Sequence, residues 1–163
     1  MGRLKYSELI KEPLTKDLIK VCSKLGYMAA LEAYRNKTYT NRTFNLHDSY
    51  GSAVYVRGKL VKDSIRYVNR SRSSIDKRGT NGRAELVNYL TELRVDGSQE
   101  ITIVVAAAMW YAEYVEAKGY EVLDYHIVQD VIISNFDKEV KPIFKKYGAE
   151  AYIPNIRTLL GFE

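Results

Sequence analysis

A single cysteine, Cys22, stands in a chain of 163 residues, which excludes an internal disulfide and any multi-cysteine zinc site. Two histidines, His47 and His126, leave little for metal ligation, and neither Glu-x-x-His nor His-x-x-x-His spacing occurs. Phosphate cradles are missing as well: there is no Gly-x-x-x-x-Gly-Lys and no Gly-x-Gly-x-x-Gly. No cofactor is therefore expected. Three prolines and ten glycines leave no room for a long flexible tract. The longest apolar run, Ile103 to Ala112, falls far short of the roughly 20 residues that a membrane-spanning helix needs. Met1 to Tyr6 lacks the apolar core of a signal peptide, and Tyr6 stands where a myristoylation signal wants Ser or Thr. A chain made in the cytoplasm, without membrane contact, is the expectation.

What is present fits one globular domain, residues 1–163. Hydrophobic residues make up 46% and charged residues 28%, enough apolar surface to build a core at this length. The net charge of +5 is unevenly spread. Between positions 66 and 83 the basic residues Arg66, Arg70, Arg72, Lys77, Arg78 and Arg83 face one acid, Asp76. Such a segment suits nucleic acid or an acidic neighbouring subunit, and equally a solvated loop. Fourteen residues are Tyr, against four Phe and one Trp. Tyrosine joins large contact area to a polar tip, which suits surfaces that are wet alone and covered in an assembly. The alternative is a set of half-buried rings at the domain edge.

Apolar residues at Leu14, Leu18, Val21, Leu25 and Met28 draw a helical stripe, with Pro13 placed to start the helix and an end near Asn36. Thr43 or Asn45 is positioned to cap a short turn carrying Leu46 and Tyr50. Ala53 to Val56 and Leu60-Val61 flank Arg57-Gly58-Lys59 as a tight hairpin, and Ser64 to Val68 reads as further strand. The polar stretch Asn69 to Gly82 is a long loop. Asn81 can cap a helix bearing Leu86, Val87, Leu90 and Leu93, which Asp96-Gly97 ends. Ile101 to Ala107 is apolar except at Thr102, which predicts a strand buried on both faces and central in its sheet. After Asp124, Val128, Ile132, Phe136, Val140, Ile143 and Tyr147 predict a long helix that Gly148 ends and Pro142 kinks or splits. The tail, residues 148–163, is too apolar for a loose end. The expected class is α+β: a small antiparallel sheet carrying a long N-terminal helix, a middle helix and a long C-terminal helix.

Chemistry is scarce. His47-Asp48-Ser49 holds the residue types of a hydrolase triad, but adjacent residues cannot aim three side chains at one another, and no Gly-x-Ser-x-Gly elbow exists. The structural alternative has Asp48 and Ser49 satisfying backbone groups. Glu113 and Glu116 lie three apart on an expected helix, with His126 nearby in sequence; more plausible than a metal site is a pairing of one Glu with an arginine of its own or a neighbouring subunit. Cys22 reads as inert core. Trp110, Tyr111 and Tyr114 have the faces to stack bases, yet they adjoin two acids, a poor place for phosphate, which favours core or subunit contact. No catalytic residue is assigned.

Two patterns about sixty residues apart carry a resemblance. The first is Thr43-Phe44-Asn45-Leu46-His47-Asp48-Ser49-Tyr50-Gly51; the second is the strand from Ile101 followed by Trp110-Tyr111-Ala112-Glu113-Tyr114-Val115-Glu116-Ala117-Lys118-Gly119. Together they resemble the head–tail joining proteins of tailed bacteriophages, the neck and tail-completion components, whose pattern is Thr-Gly-x-Leu-x-x-Ser, a hairpin, a strand, Tyr-Ala-x-Tyr-Val-Glu-x-Gly and a last helix. Phe44 replaces the family's Gly, and Lys118-Gly119-Tyr120 replaces its usual ending. The resemblance spans about residues 14–147 and implies the same α+β architecture. It also implies a virion protein acting by assembly, as a homo-oligomeric ring, hexamer or dodecamer, between portal or adaptor and tail proteins around the DNA channel. Leu46, Ser49, Trp110, Tyr111, Tyr114 and Glu116 would then serve subunit contacts, and the 66–83 loop would meet an acidic neighbour or make non-specific contact with DNA. A small basic nucleic-acid-binding module using that loop is the competing expectation.

Overall fold

The computed structural model describes residues 2–40, 44–69, 75, 78–98 and 100–148, with side chains from Lys11 onward. Helix α1 spans Gly2–Arg35, longer than the stripe from Leu14 predicts, and Pro13 lies inside it instead of starting it. Proline removes one backbone bond, but Lys11, Glu12 and Pro13 are exposed, so that bond is lost where water substitutes for it. The buried face is Leu18, Cys22, Leu25, Ala29, Ala30 and Ala33; of the predicted stripe Leu18 and Leu25 are buried, and Leu14, Val21 and Met28 are half-buried beside them.

A one-turn helix, α2 (Asn45–Asp48), leads into strand β1 (Tyr50–Val56). Tyr50 thus opens the strand and is not part of the turn. Arg57 and Gly58 both take positive φ, 48° and 77°, and connect β1 to β2 (Lys59–Leu60), with Val56 paired to Lys59. This is the geometry of a two-residue type I′ hairpin, where glycine bears the second position without strain. Ser64 falls in a 3₁₀ turn (Lys62–Ser64), so the strand expected from Ser64 shrinks to β3 (Arg66–Tyr67). Its hydroxyl explains why: Ser64 Oγ accepts from the buried Val54 N–H at 2.7 Å and donates to Val61 C=O at 2.6 Å, taking the place of a ladder bond.

Helix α3 (Gly82–Glu92) starts as predicted, with Asn81 Oδ1 accepting from Ala84 N–H at 3.0 Å. Strand β4 (Ile101–Ala107) pairs antiparallel with β1 along its whole length. The expectation that β4 is central is overturned: β1 is the central strand, with β4 on one side and β2 and β3 on the other. Layering explains the misleading composition. Ile101, Ile103, Val54 and Val56 pack with α1 and α5 on one face, and Val104, Ala106, Ala53 and Tyr55 pack with Leu86 and Leu90 of α3 on the other. The expected burial is only partial, since Ile101 and Ala106 are buried and the other five residues of β4 half-buried; elements packed on both faces of a strand make it read as apolar, whether or not it has two lateral neighbours.

A short helix, α4 (Ala112–Ala117), precedes α5 (Tyr125–Lys146). Asp124 caps α5, accepting from His126 and Ile127 N–H groups at 2.8 and 3.3 Å. Of the kink or split expected at Pro142, the split does not occur, since α5 runs unbroken through it. Pro142 and Lys138, whose carbonyl loses its partner, are both exposed in the last turns of the helix. Ile132, Phe136, Val140 and Phe144 are its buried face, and α5 packs chiefly on α1. Asp17 of α1 ties the end of α5, accepting from Lys146 Nζ at 2.9 Å and Tyr147 Oη at 2.7 Å. Gly148, at φ 64°, ends α5; the tail beyond it lies outside the described residues.

Candidate interaction surface

One end of the sheet is closed by a small core of Tyr39, Leu46, Tyr50, Met109 and Val122. The elbow before β1 feeds it. Phe44 enters α2 with φ 59° and no side-chain cap, and Thr43 lies outside the described residues, so neither expected cap is seen in that role. Asn45 instead reaches across the fold, and its Oδ1 accepts from Gly82 N–H at 3.1 Å. Only glycine fits at 82, since a Cβ there would sit 1.9 Å from the Asn45 carbonyl oxygen. Asn69 Nδ2 adds a second strut, donating to His47 C=O at 2.8 Å. Sequence reasoning missed Asn69 and the Asn45–Gly82 clasp, because nothing local marks contacts made across 22 and 37 positions.

Within the elbow, His47 Nδ1 and Asp48 Oδ1 are 2.6 Å apart and both side chains are buried. Ser49 turns away from them, its Oγ donating to Leu46 C=O at 2.8 Å. The three residue types of a triad are therefore not assembled into one. Leu46 and Ser49 are buried within the chain itself, at 5% and 0% exposure, so they offer a neighbour no surface and can serve an interface only by holding this elbow. Tyr50 Oη donates to Val122 C=O, and burial pushes the Tyr39 and Tyr50 phenols well above their ordinary range.

The surface beyond this core is aromatic. Trp110, Tyr114, Tyr120 and Tyr125 are 51%, 63%, 49% and 68% exposed, while Tyr111 packs partly inward. Trp110 meets Tyr111 edge to face at 5.2 Å and lies under the Arg78 guanidinium at 3.9 Å; Lys118 Nζ sits 5.0 Å from the Tyr114 ring. Glu116 is exposed, and its Oε1 accepts from Leu123 N–H at 3.2 Å, a backbone partner in place of the arginine expected within the subunit. Glu116, Tyr120, Glu121, Leu123, Asp124 and His126 line an open cleft of about 430 Å³. Two of its carboxylates already hold backbone amides, and among the described residues no group of three or more His, Cys, Asp or Glu could hold a metal ion.

The basic segment is only partly described. Arg70, Arg72 and Lys77 lie outside the described residues. Arg66 donates to Asp63 and Ile65 carbonyls at 2.8 and 3.0 Å. Arg83 donates to Asn69 C=O at 2.8 Å and stacks 4.3 Å over Tyr67. Arg66, Arg78 and Arg83 therefore each contact their own chain. Cys22 is 2% exposed, and burial pushes its thiol up to about 12, which makes it unreactive. No helix among the described residues is long and apolar enough to cross a membrane. Compared with family models, curated proteins and solved structures, the chain matches none.

Proposed function

We propose that this chain is a structural virion protein of a tailed phage or prophage, forming a ring in the neck that joins portal or adaptor to tail around the DNA channel. The observation that supports this reading best is the exposed aromatic stretch from Trp110 to Tyr125, beside the acids Glu113, Glu116 and Glu121. Large rings left half or more open to water suit a surface that another subunit covers. Of these rings Tyr114 lies in the Tyr-Ala-x-Tyr-Val-Glu motif that carries the resemblance and Trp110 directly precedes it, while the motif's Tyr111 packs on the buried elbow that carries the other half. Localisation follows from the role: host cytoplasm during assembly, then the virion. For the competing nucleic-acid module the described residues offer less: Arg66, Arg78 and Arg83 are each engaged by carbonyls or rings of their own chain, and Arg70, Arg72 and Lys77 lie outside the described residues.

Native mass spectrometry of the purified protein, alone and mixed with the products of adjacent genes, tests the reading. A closed hexamer or dodecamer, or a ring formed with a portal or tail partner, is expected. A monomer that ignores such partners and instead binds DNA with steep salt dependence overturns it.

A further inference from the structure

Among the described residues β1 takes part in every pairing of the sheet, whereas β4 pairs with β1 alone. The register fixes where each peptide group of β4 points. Just outside its two ends, Arg57 N–H donates to Glu100 C=O and Ala108 N–H donates to Ser49 C=O. Backbone groups alternate in direction along a strand, so Thr102, Val104 and Ala106 likewise direct theirs at β1. The N–H and C=O groups of Ile101, Ile103, Val105 and Ala107 point the other way. Among the described residues no hydrogen bond reaches them.

Natural sheets blunt such an edge with lysine, proline or a bulge. β4 has none of these: Ile101 to Met109 carries neither charge nor proline, and the ladder to β1 runs through seven pairs in unbroken register. On both faces the helices crowd β1 more than β4, which leaves Thr102 to Val105 half-buried at the flank of the layers.

We propose that β4 pairs antiparallel with β4 of a second copy, about a two-fold axis at Val104, joining two four-stranded sheets into one. The outward groups at positions 101, 103, 105 and 107 are symmetric about 104. A register centred there sets Ile101 against the second copy's Ala107 and Ile103 against its Val105, so every outward donor meets an outward acceptor. Self-pairing places any charge near its own image, and this strand has none to repel. An edge without charge pairs through its main-chain groups, and a second copy of β4 presents the same uncharged edge in matching register. The contact does not rest on the neck reading: rings close through heterologous surfaces, a two-fold contact through identical ones.

Disulfide trapping tests the register. At the axis the two Val104 residues form a non-hydrogen-bonded pair with Cα atoms about 4.5 Å apart, a spacing a disulfide accepts. Cys22 is buried and does not compete. Mild oxidation of Val104→Cys should give a covalent dimer at least about ten-fold faster than Val105→Cys, whose side chain is half-buried like Val104 but lies off the axis, a difference of about 1.4 kcal/mol or more in barrier. In the unaltered protein, the Ile103 and Val105 amides should exchange with deuterium more slowly as protein concentration rises, which keeps the test valid if a variant misfolds. Equal trapping at both positions, or exchange independent of concentration, overturns the pairing. A ring without trapping at 104 overturns it and leaves the neck reading intact; a trapped dimer that never builds rings supports it and counts against the neck.

Discussion

At the scale of single residues, this fold depends on a few polar side chains that replace missing backbone partners. The Asn45–Gly82 clasp joins the elbow to the start of α3 with no space to spare. Gly82→Ala should therefore destabilise the protein by about 1–3 kcal/mol, read from the midpoint of urea unfolding. Asp17 answers to pH. Hydrogen bonds from Lys146 and Tyr147 hold its carboxyl below the ordinary value of 3.8. A carboxyl with a depressed folded pKa contributes stability above its unfolded value and loses that contribution as pH falls through the folded one. Asp17→Asn should thus unfold more readily than the parent at neutral pH, with the gap closing below about pH 4; thermal melts across pH measure this. A constant gap at every pH would mean the amide fails for another reason. At this scale the sequence was only partly legible. Asn81 was read as a cap and Asp124 as the point where α5 begins, because their partners lie two or three residues away. The contacts of Asn45, Ser64 and Asn69 could not be read, since their partners are set by the fold.

At the scale of elements, helical stripes were the clearest signal and strand position the weakest. Ile132, Phe136 and Val140 were read correctly as the buried face of α5, which Phe144 completes, whereas Val128, Ile143 and Tyr147 of the expected stripe are half-buried. Phe136 is 2% exposed where α5 meets α1, so Phe136→Ala should cost about 3–5 kcal/mol, checked by denaturant titration. A loss below about 1 kcal/mol would mean that the α1–α5 contact is looser than its burial implies. Pro13 and Pro142 misled the reading of helix ends for the same reason: each sits on an exposed stretch, where water takes over the missing bond. β4 misled it differently. Its composition reports the helices above and below the sheet and carries no information about its lateral neighbours.

At the scale of the whole molecule, two surfaces stand exposed among the described residues, the aromatic stretch and the outer edge of β4. Reversing charge at Arg70 and Arg72 should leave the far-UV circular dichroism unchanged and impair joining if the loop meets a neighbour; intact virions from that mutant would remove the loop from the assembly. Truncation after Gly148 should weaken association or solubility, since residues 149–163 carry Ile153, Ile156, Leu159, Leu160 and Phe162; an unchanged sedimentation profile would show the tail to be dispensable. The sequence by itself determined the α+β class, the helical stripes, the hairpin and the inert cysteine, because each follows from spacing and composition within a few turns of chain. Only the tertiary structure decided that β1 is central, that Leu46 and Ser49 face inward while Trp110 and Tyr114 face out, and that β4 has β1 as its one partner among the described residues. Those outcomes depend on contacts between segments far apart in the chain, where local periodicity carries no record of which neighbour lies alongside.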